Sequence, residues 1–326
     1  MSTLKDTFGR RIEYLRLSVT DRCNFRCLYC SPQGCPIETG SPVLSLDEIG
    51  RLAHAFARLG VWKIRITGGE PTLRLDIAEI VERIAGVPGV RRVGLTTNGY
   101  RLLEIASTLR KSGLASLNVS VDSLDPARFE RLTGQPKLPR IVDGVEAALS
   151  AGIPSVKVNV VLLQGFSDGE LDRFLGWTKE LPLVVRFIEL MQTGDNAAFF
   201  RKHHVSAEGI RTKLEARGWS KLPREETDGP ATNYRHAGHA GKVGFIAPYS
   251  DGFCETCNRV RVSSAGNLRL CLFHGEEIPL RPMLQAGTPG DELVQLIQSA
   301  ISAKPASHHL QQGRCDPTTK LASIGG

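Results

Sequence analysis

Short runs of β-branched residues alternate with amphipathic stretches from residue 14 to about residue 191, and this alternation constrains the fold more than any other feature. The runs predict six strands, each closed by Gly, Asn, Asp or Pro, at 14–20, 63–67, 93–97, 117–121, 156–162 and 184–190. The first helical stretch between them begins at Ser45, a typical N-cap residue, with Glu48 in its first turn. Repeated strand-helix units predict an α/β fold with a parallel sheet, either open or curled into a partial barrel.

The alternation of strand-like and helix-like stretches ends after Met191. Residues 192–241 are polar, rich in basic side chains and weakly periodic, so we predict a domain boundary there, with one domain at 1–191 and a second at 192–326. The second region holds a helix-like stretch at 292–303 and ends in Leu321-Ala322-Ser323-Ile324-Gly325-Gly326.

Composition excludes several classes of protein. The 326 residues are 41% hydrophobic and 23% charged, as in globular proteins, with a net charge of +7 that is compatible with an anionic partner. No apolar run approaches the roughly 18 residues of a membrane span, and the first residues carry no apolar targeting segment. We therefore expect a cytoplasmic protein without a membrane partner.

Three cysteines, Cys23, Cys27 and Cys30, follow directly on the first predicted strand. Ligands of α/β folds gather at the carboxyl ends of the strands, and this spacing lets three thiolates hold one iron-sulfur cube while leaving one iron without a protein ligand. The alternative is a set of buried or incidental thiols.

A second set of cysteines lies in the C-terminal region. Cys254 and Cys257 are separated by two residues, and Cys271 follows after thirteen more. His274 could complete a zinc site, so the spacing alone leaves structural zinc and an iron-sulfur cluster equally open.

The first triplet resembles the signature of the radical S-adenosylmethionine (SAM) superfamily, and Gly68-Gly69-Glu70-Pro71 after the second strand looks like its Gly-Gly-Glu-Pro motif. The resemblance implies a partial β/α barrel whose 4Fe-4S cluster binds SAM at the open iron. Reduction then cleaves SAM to a 5′-deoxyadenosyl radical. It further implies that Tyr29, Gly69, Ser120 and Met191 contact SAM.

The stretch Cys254-x-x-Cys257-Asn258-Arg259-x-Arg261, a distant third cysteine and a terminal Gly-Gly resemble the GTP 3′,8-cyclases of molybdenum cofactor biosynthesis. That family binds GTP at a second 4Fe-4S cluster and forms 3′,8-cyclo-7,8-dihydro-GTP. The resemblance makes Cys254, Cys257 and Cys271 the second ligand set and gives Gly325 and Gly326 a catalytic role. It implies that these side chains contact GTP: Arg16, Arg65, Thr96, Lys157, Arg259 and Arg261.

The same resemblance implies several partners: a flavodoxin- or ferredoxin-type electron donor, a downstream cyclic pyranopterin monophosphate synthase, and a second copy of the chain in a homodimer. Cys35 and Cys315 match no ligand of the family, and we interpret both as incidental thiols.

Two other functions stay open at this point. A peptide-modifying radical SAM enzyme is one, although such enzymes carry more cysteines in this region. A zinc-stabilised nucleic-acid-binding protein is the other, although the basic residues are spread out and aromatic residues make up only 6%.

Overall fold

The computed structural model describes residues 3–35, 43–193, 196–225, 229–285 and 290–312. All six predicted strands are confirmed, with small shifts at their ends. They are β1 (Tyr14–Ser18), β2 (Lys63–Thr67), β3 (Arg92–Thr97), β4 (Leu114–Ser120), β5 (Val156–Leu162) and β6 (Val184–Glu189). Each pairs in parallel with the next, as strand-helix units require.

Helices connect these strands: α1 (Leu46–Arg58), α2 (Ile77–Ala85), α3 (Leu102–Lys111), α4 (Pro126–Thr133), α5 (Leu138–Ser150) and α6 (Asp168–Glu180). The predicted start of α1 is confirmed by a capping box, in which Ser45 Oγ accepts from the Glu48 amide at 3.2 Å and Glu48 accepts from the Ser45 amide at 2.8 Å. Helix α4 was not predicted. Over the described ranges no helix has both the length and the apolar character needed to cross a membrane.

The C-terminal region adds strands to both ends of the parallel array. Its elements are α7 (Ala197–His203), α8 (Glu208–Ala216), β7 (Ser220–Lys221), β8 (Thr232–Arg235), β9 (Lys242–Ile246), β10 (Arg259–Val262), β11 (Asn267–Arg269), β12 (Ile278–Pro279) and α9 (Gly290–Ile301). Strand β9 pairs in parallel with β6, and β10 pairs in parallel with β1.

The described strands form one sheet in the order β12-β11-β10-β1-β2-β3-β4-β5-β6-β9-β8-β7. This order has two ends and is not closed on itself, which confirms the partial barrel. Because the sheet runs across residue 191, the boundary expected there stays a prediction.

The two faces of the sheet differ in chemistry. Ile64 and Ile66 of β2, like Val158 and Val160 of β5, are fully buried in the apolar core. Successive strand residues point to opposite faces, so the residues between them, such as Arg65, face the other way. That second face lines a cavity.

Candidate active site

One cavity of about 580 Å³ lies against the polar face of the sheet, within the size range of small-molecule sites. Both cysteine triplets line it. So does every other described residue predicted to contact a ligand: Arg16, Tyr29, Arg65, Gly69, Thr96, Ser120, Lys157, Met191, Arg259 and Arg261. Gly325, Gly326 and Cys315 lie outside the described residues.

The first triplet sits in the loop after β1, which α4 holds in place. The Arg26 amide donates to Thr133 O at 2.9 Å and the Leu28 amide to Leu132 O at 3.0 Å. Phe25 packs edge-on against Phe129, with ring centroids 6.3 Å apart. The loop therefore presents its thiols from an anchored backbone.

Burial raises the pKa of Cys23 to about 12 and holds the pKa of Cys27 well above its usual value. Iron binding has to remove these protons, so the cluster displaces them as it assembles. Cys35 lies beside this loop, where its thiol donates to Ser31 Oγ at 3.5 Å, but it does not line the cavity.

The turn after β2 packs directly on the cluster loop. Gly69 donates to Thr20 O at 2.8 Å and Glu70 to Arg22 O at 2.7 Å. A Cβ on Gly69 would overlap the carbonyl oxygen of Arg22. The second glycine is therefore required by the close approach of two backbones.

Glu70 itself is 1% exposed and fastens this turn to the end of β3. Its carboxylate accepts from Thr97 Oγ1 at 2.7 Å, from the Asn98 amide at 2.6 Å and from the Thr72 amide at 3.0 Å. These bonds keep the ends of two neighbouring strands in register beside the thiols.

Tyr29, between Cys27 and Cys30, is oriented by Asp122, which follows β4. Its hydroxyl donates to Asp122 Oδ2 at 2.7 Å, and Asp122 Oδ1 accepts from the Val161 amide at 2.9 Å. Burial raises the pKa of Asp122 to about 6. The carboxylate thereby ties the cluster loop to the ends of β4 and β5.

Positive charge is concentrated on the sheet side of the cavity. Arg16 of β1 lies between Arg65 of β2 and Arg261 of β10 in the strand register. Arg65 is 4% exposed, and its guanidinium donates to Tyr14 Oη and Ser116 Oγ at 2.8 Å and to Leu95 O at 2.9 Å.

Burial and neighbouring positive charges lower the pKa of two lysines in this wall. Burial, followed by the charges of Arg186 and Arg65, lowers the pKa of Lys157 to about 6. Burial lowers the pKa of Lys63 to about 8. A bound anion would relieve both effects, so the wall suits a polyanionic ligand.

Three buried polar atoms on residues that line the cavity have no hydrogen-bond partner among the described residues. They are Thr96 Oγ1, Asn118 Oδ1 and Asn159 Oδ1, all buried, on β3, β4 and β5. Buried polar atoms without partners are costly, so ligand groups are the expected partners. The sequence did not assign Asn118, Asn159 or Arg186 to a ligand. Their signal was a polar side chain inside a predicted strand.

The second triplet reaches the same cavity because β10 pairs with β1. The Cys257 amide donates to Cys254 O at 3.1 Å, and Arg259 and Arg261 follow on β10 with both side chains lining the cavity. Burial would raise the pKa of Cys257, but the charges of Arg259 and Lys304 lower it to about 6. Arg259 also forms a side-chain hydrogen bond with Cys257, so it acts on this thiol as well as on the cavity.

The three thiols of each triplet are suitable ligands for an iron-sulfur cluster. In the described part of the chain, no three His, Cys, Asp or Glu side chains come close enough together to hold a single metal ion. The thiolates of a cube bind different iron atoms, so they need not converge on one point. Seven described cysteines are free thiols, six of which face the cavity.

Comparisons with known proteins agree with this geometry. Residues 17–178 match the Radical SAM superfamily, and residues 183–310 match Molybdenum Cofactor Synthesis C. SuiB from Streptococcus suis bound to S-adenosylmethionine has a TM-score of 0.60 at 15% identity, covering 90% of this chain and 69% of that one. An identity this low shows the fold alone.

Curated relatives are far more similar. The GTP 3′,8-cyclase of Aeromonas hydrophila is 51% identical over 100% of this chain and 97% of its own length. That of Yersinia pestis is 48% identical over the full length of both chains. The chain therefore belongs to the GTP 3′,8-cyclase family of the radical SAM superfamily.

Proposed function

We propose that this chain is a radical SAM GTP 3′,8-cyclase that catalyses the first step of molybdenum cofactor biosynthesis. The observation that carries the proposal is a single cavity lined by two cysteine triplets and a buried cationic wall. Family membership decides against the zinc-stabilised nucleic-acid-binding protein and favours GTP over a peptide as the substrate. The cofactors are two 4Fe-4S clusters and SAM.

Cys23, Cys27 and Cys30 would hold the first cluster, and Cys254, Cys257 and Cys271 the second. With SAM bound, the first cluster supplies the 5′-deoxyadenosyl radical that starts the conversion of GTP to 3′,8-cyclo-7,8-dihydro-GTP. The protein contributes position and electrostatics.

The backbone of the Gly69 turn, close against the cluster loop, supports a role for that turn in holding SAM. We assign three further SAM contacts from the cavity lining: Tyr29, Ser120 and Met191. Asp122 would orient Tyr29 through the 2.7 Å hydrogen bond to its hydroxyl.

The cationic wall would hold the triphosphate and ribose of GTP. Arginine suits this role because its planar fork matches two phosphate oxygens at once. The residues we assign to GTP are Arg16, Arg65, Thr96, Lys157, Arg259 and Arg261. Thr96 adds a hydroxyl whose oxygen needs a partner.

The catalytic role of Gly325 and Gly326 belongs to this proposal. A low-potential electron donor of the flavodoxin or ferredoxin type, a downstream cyclic pyranopterin monophosphate synthase and a homodimeric assembly are proposed partners. A cytoplasmic location belongs to the same proposal, since that compartment keeps thiols reduced.

Iron analysis of anaerobically reconstituted protein tests the proposal. We expect about eight irons per chain if both triplets hold four-iron clusters. Replacing Cys254, Cys257 and Cys271 with Ala should halve the iron, spare SAM binding and abolish the cyclised nucleotide. Zinc in place of iron at the second triplet would overturn the assignment.

A further inference from the structure

The segment after α9, residues 304–308, wraps the second triplet. Lys304 is 3% exposed and lines the cavity. Its ammonium donates to Arg259 O at 3.0 Å and to Leu270 O. No feature of the sequence had marked it as a site residue.

The two carbonyl groups belong to the two separate arms that carry the second triplet. Arg259 stands two residues after Cys257, and Leu270 directly precedes Cys271. One ammonium thus joins the arm of Cys257 to the arm of Cys271. A lysine can do this because it has three donors on a long stem.

Lys304 is buried, and it is close enough to interact electrostatically with Cys257, Cys271, Arg10 and Arg259. A buried cation is costly unless it is paired. Thiolates on a cluster would pair it.

Arg10 fixes the same segment from the other side. Its guanidinium donates to Cys254 O at 3.0 Å, Pro305 O at 2.6 Å and Ala306 O at 2.9 Å, and it pairs with Asp6 at 2.6 Å. Arg10 therefore holds the backbone next to Lys304 in place.

We propose that Lys304 is a positioning residue for the second cluster, joining the Cys257 and Cys271 arms and raising the reduction potential of the cluster through its positive charge. Net charge, hydrogen bonding and exposure set iron-sulfur potentials, and a charge acts strongly in a buried site. This inference rests on the second cluster of the proposed function.

The test uses protein in which Cys23, Cys27 and Cys30 are replaced by Ala, so that iron reports on the second triplet alone. In this background Lys304→Met removes the charge and Lys304→Arg retains it. Lys111→Met, at an exposed lysine on α3, is the matched control. Iron per chain and the midpoint potential, from a titration followed by electron paramagnetic resonance, are the readouts.

We expect Lys304→Met either to lose the cluster's iron or to shift its midpoint potential to a more negative value, while Lys304→Arg and Lys111→Met stay close to the parent. An unchanged iron content and potential in Lys304→Met would overturn the inference. So would an arginine variant that behaves like the methionine variant. Absence of iron from the unsubstituted background would instead overturn the second cluster itself, and the role of Lys304 with it.

Discussion

The protonation state of Lys157 should be coupled directly to ligand binding. Its pKa of about 6 means that it is mostly neutral at pH 8 in the free protein. Phosphates favour the ammonium form, so GTP binding raises this pKa and takes up a proton. The contribution of Lys157 to GTP affinity should therefore weaken as the pH rises above about 6.

Calorimetry at pH 8 in two buffers of different ionisation heat measures this uptake. Lys63, with a pKa of about 8, also contributes. We expect Lys157→Met to lower proton uptake by about one per GTP bound, and Lys179→Met, at an exposed lysine, to leave it unchanged. Equal uptake in the parent and Lys157→Met would remove Lys157 from the phosphate site.

Strands and helices could be predicted from the sequence where apolar residues recur at regular spacing. The six parallel strands carry apolar residues on a buried face, so composition and local pattern agree with the final pairing. Strands β7 and β12 have two residues each, and their positions depend on pairing with neighbours rather than on local pattern. Helix α4 is eight residues long, and its signals were the Asp125 cap, Pro126 in the first turn and Gly134 with φ of 70° after its end.

The close packing of Gly69 against the cluster loop leads to a testable prediction. Gly69→Ala forces a Cβ into the Arg22 carbonyl, so the cluster loop has to move. We expect SAM affinity to fall at least tenfold, corresponding to about 1.4 kcal/mol, with reduced iron at the first triplet. Gly176→Ala in α6 is the control, because its Cβ meets nothing within 4 Å.

Binding of SAM by anaerobic Gly69→Ala, measured by equilibrium dialysis, checks this expectation. The control should bind SAM like the parent and gain about 0.5–1 kcal/mol of stability, since alanine is favoured over glycine in a helix interior. Parent-like SAM affinity in Gly69→Ala would show that the close packing of the two backbones does not position SAM.

The C-terminal tail extends past the described residues, and its sequence carries the prediction there. Deleting Gly325 and Gly326 should preserve both clusters and most GTP affinity while abolishing the cyclised product. Anaerobic turnover, iron analysis and GTP titration together measure this, and near-normal turnover would remove these two glycines from the proposed catalytic machinery.

The order of strands in the sheet explains why the two triplets, far apart in sequence, share a site. Strand β10 extends the sheet at β1 and β9 extends it at β6, so the C-terminal region joins both ends of the parallel array. The sequence predicted both triplets and ten described ligand contacts, and all of these residues line one cavity. It did not assign a site role to Asp122 or Lys304, because these residues act through contacts between segments distant in the chain.

We propose that one cavity brings the SAM-derived radical to the ribose of GTP. The most direct measurement uses anaerobic protein with a reductant, SAM and GTP deuterated at C3′, followed by mass spectrometry of the 5′-deoxyadenosine. We predict that the 5′-deoxyadenosine carries deuterium and forms in step with the cyclised nucleotide. 5′-Deoxyadenosine that forms without deuterium, while GTP stays unconsumed, would contradict the account.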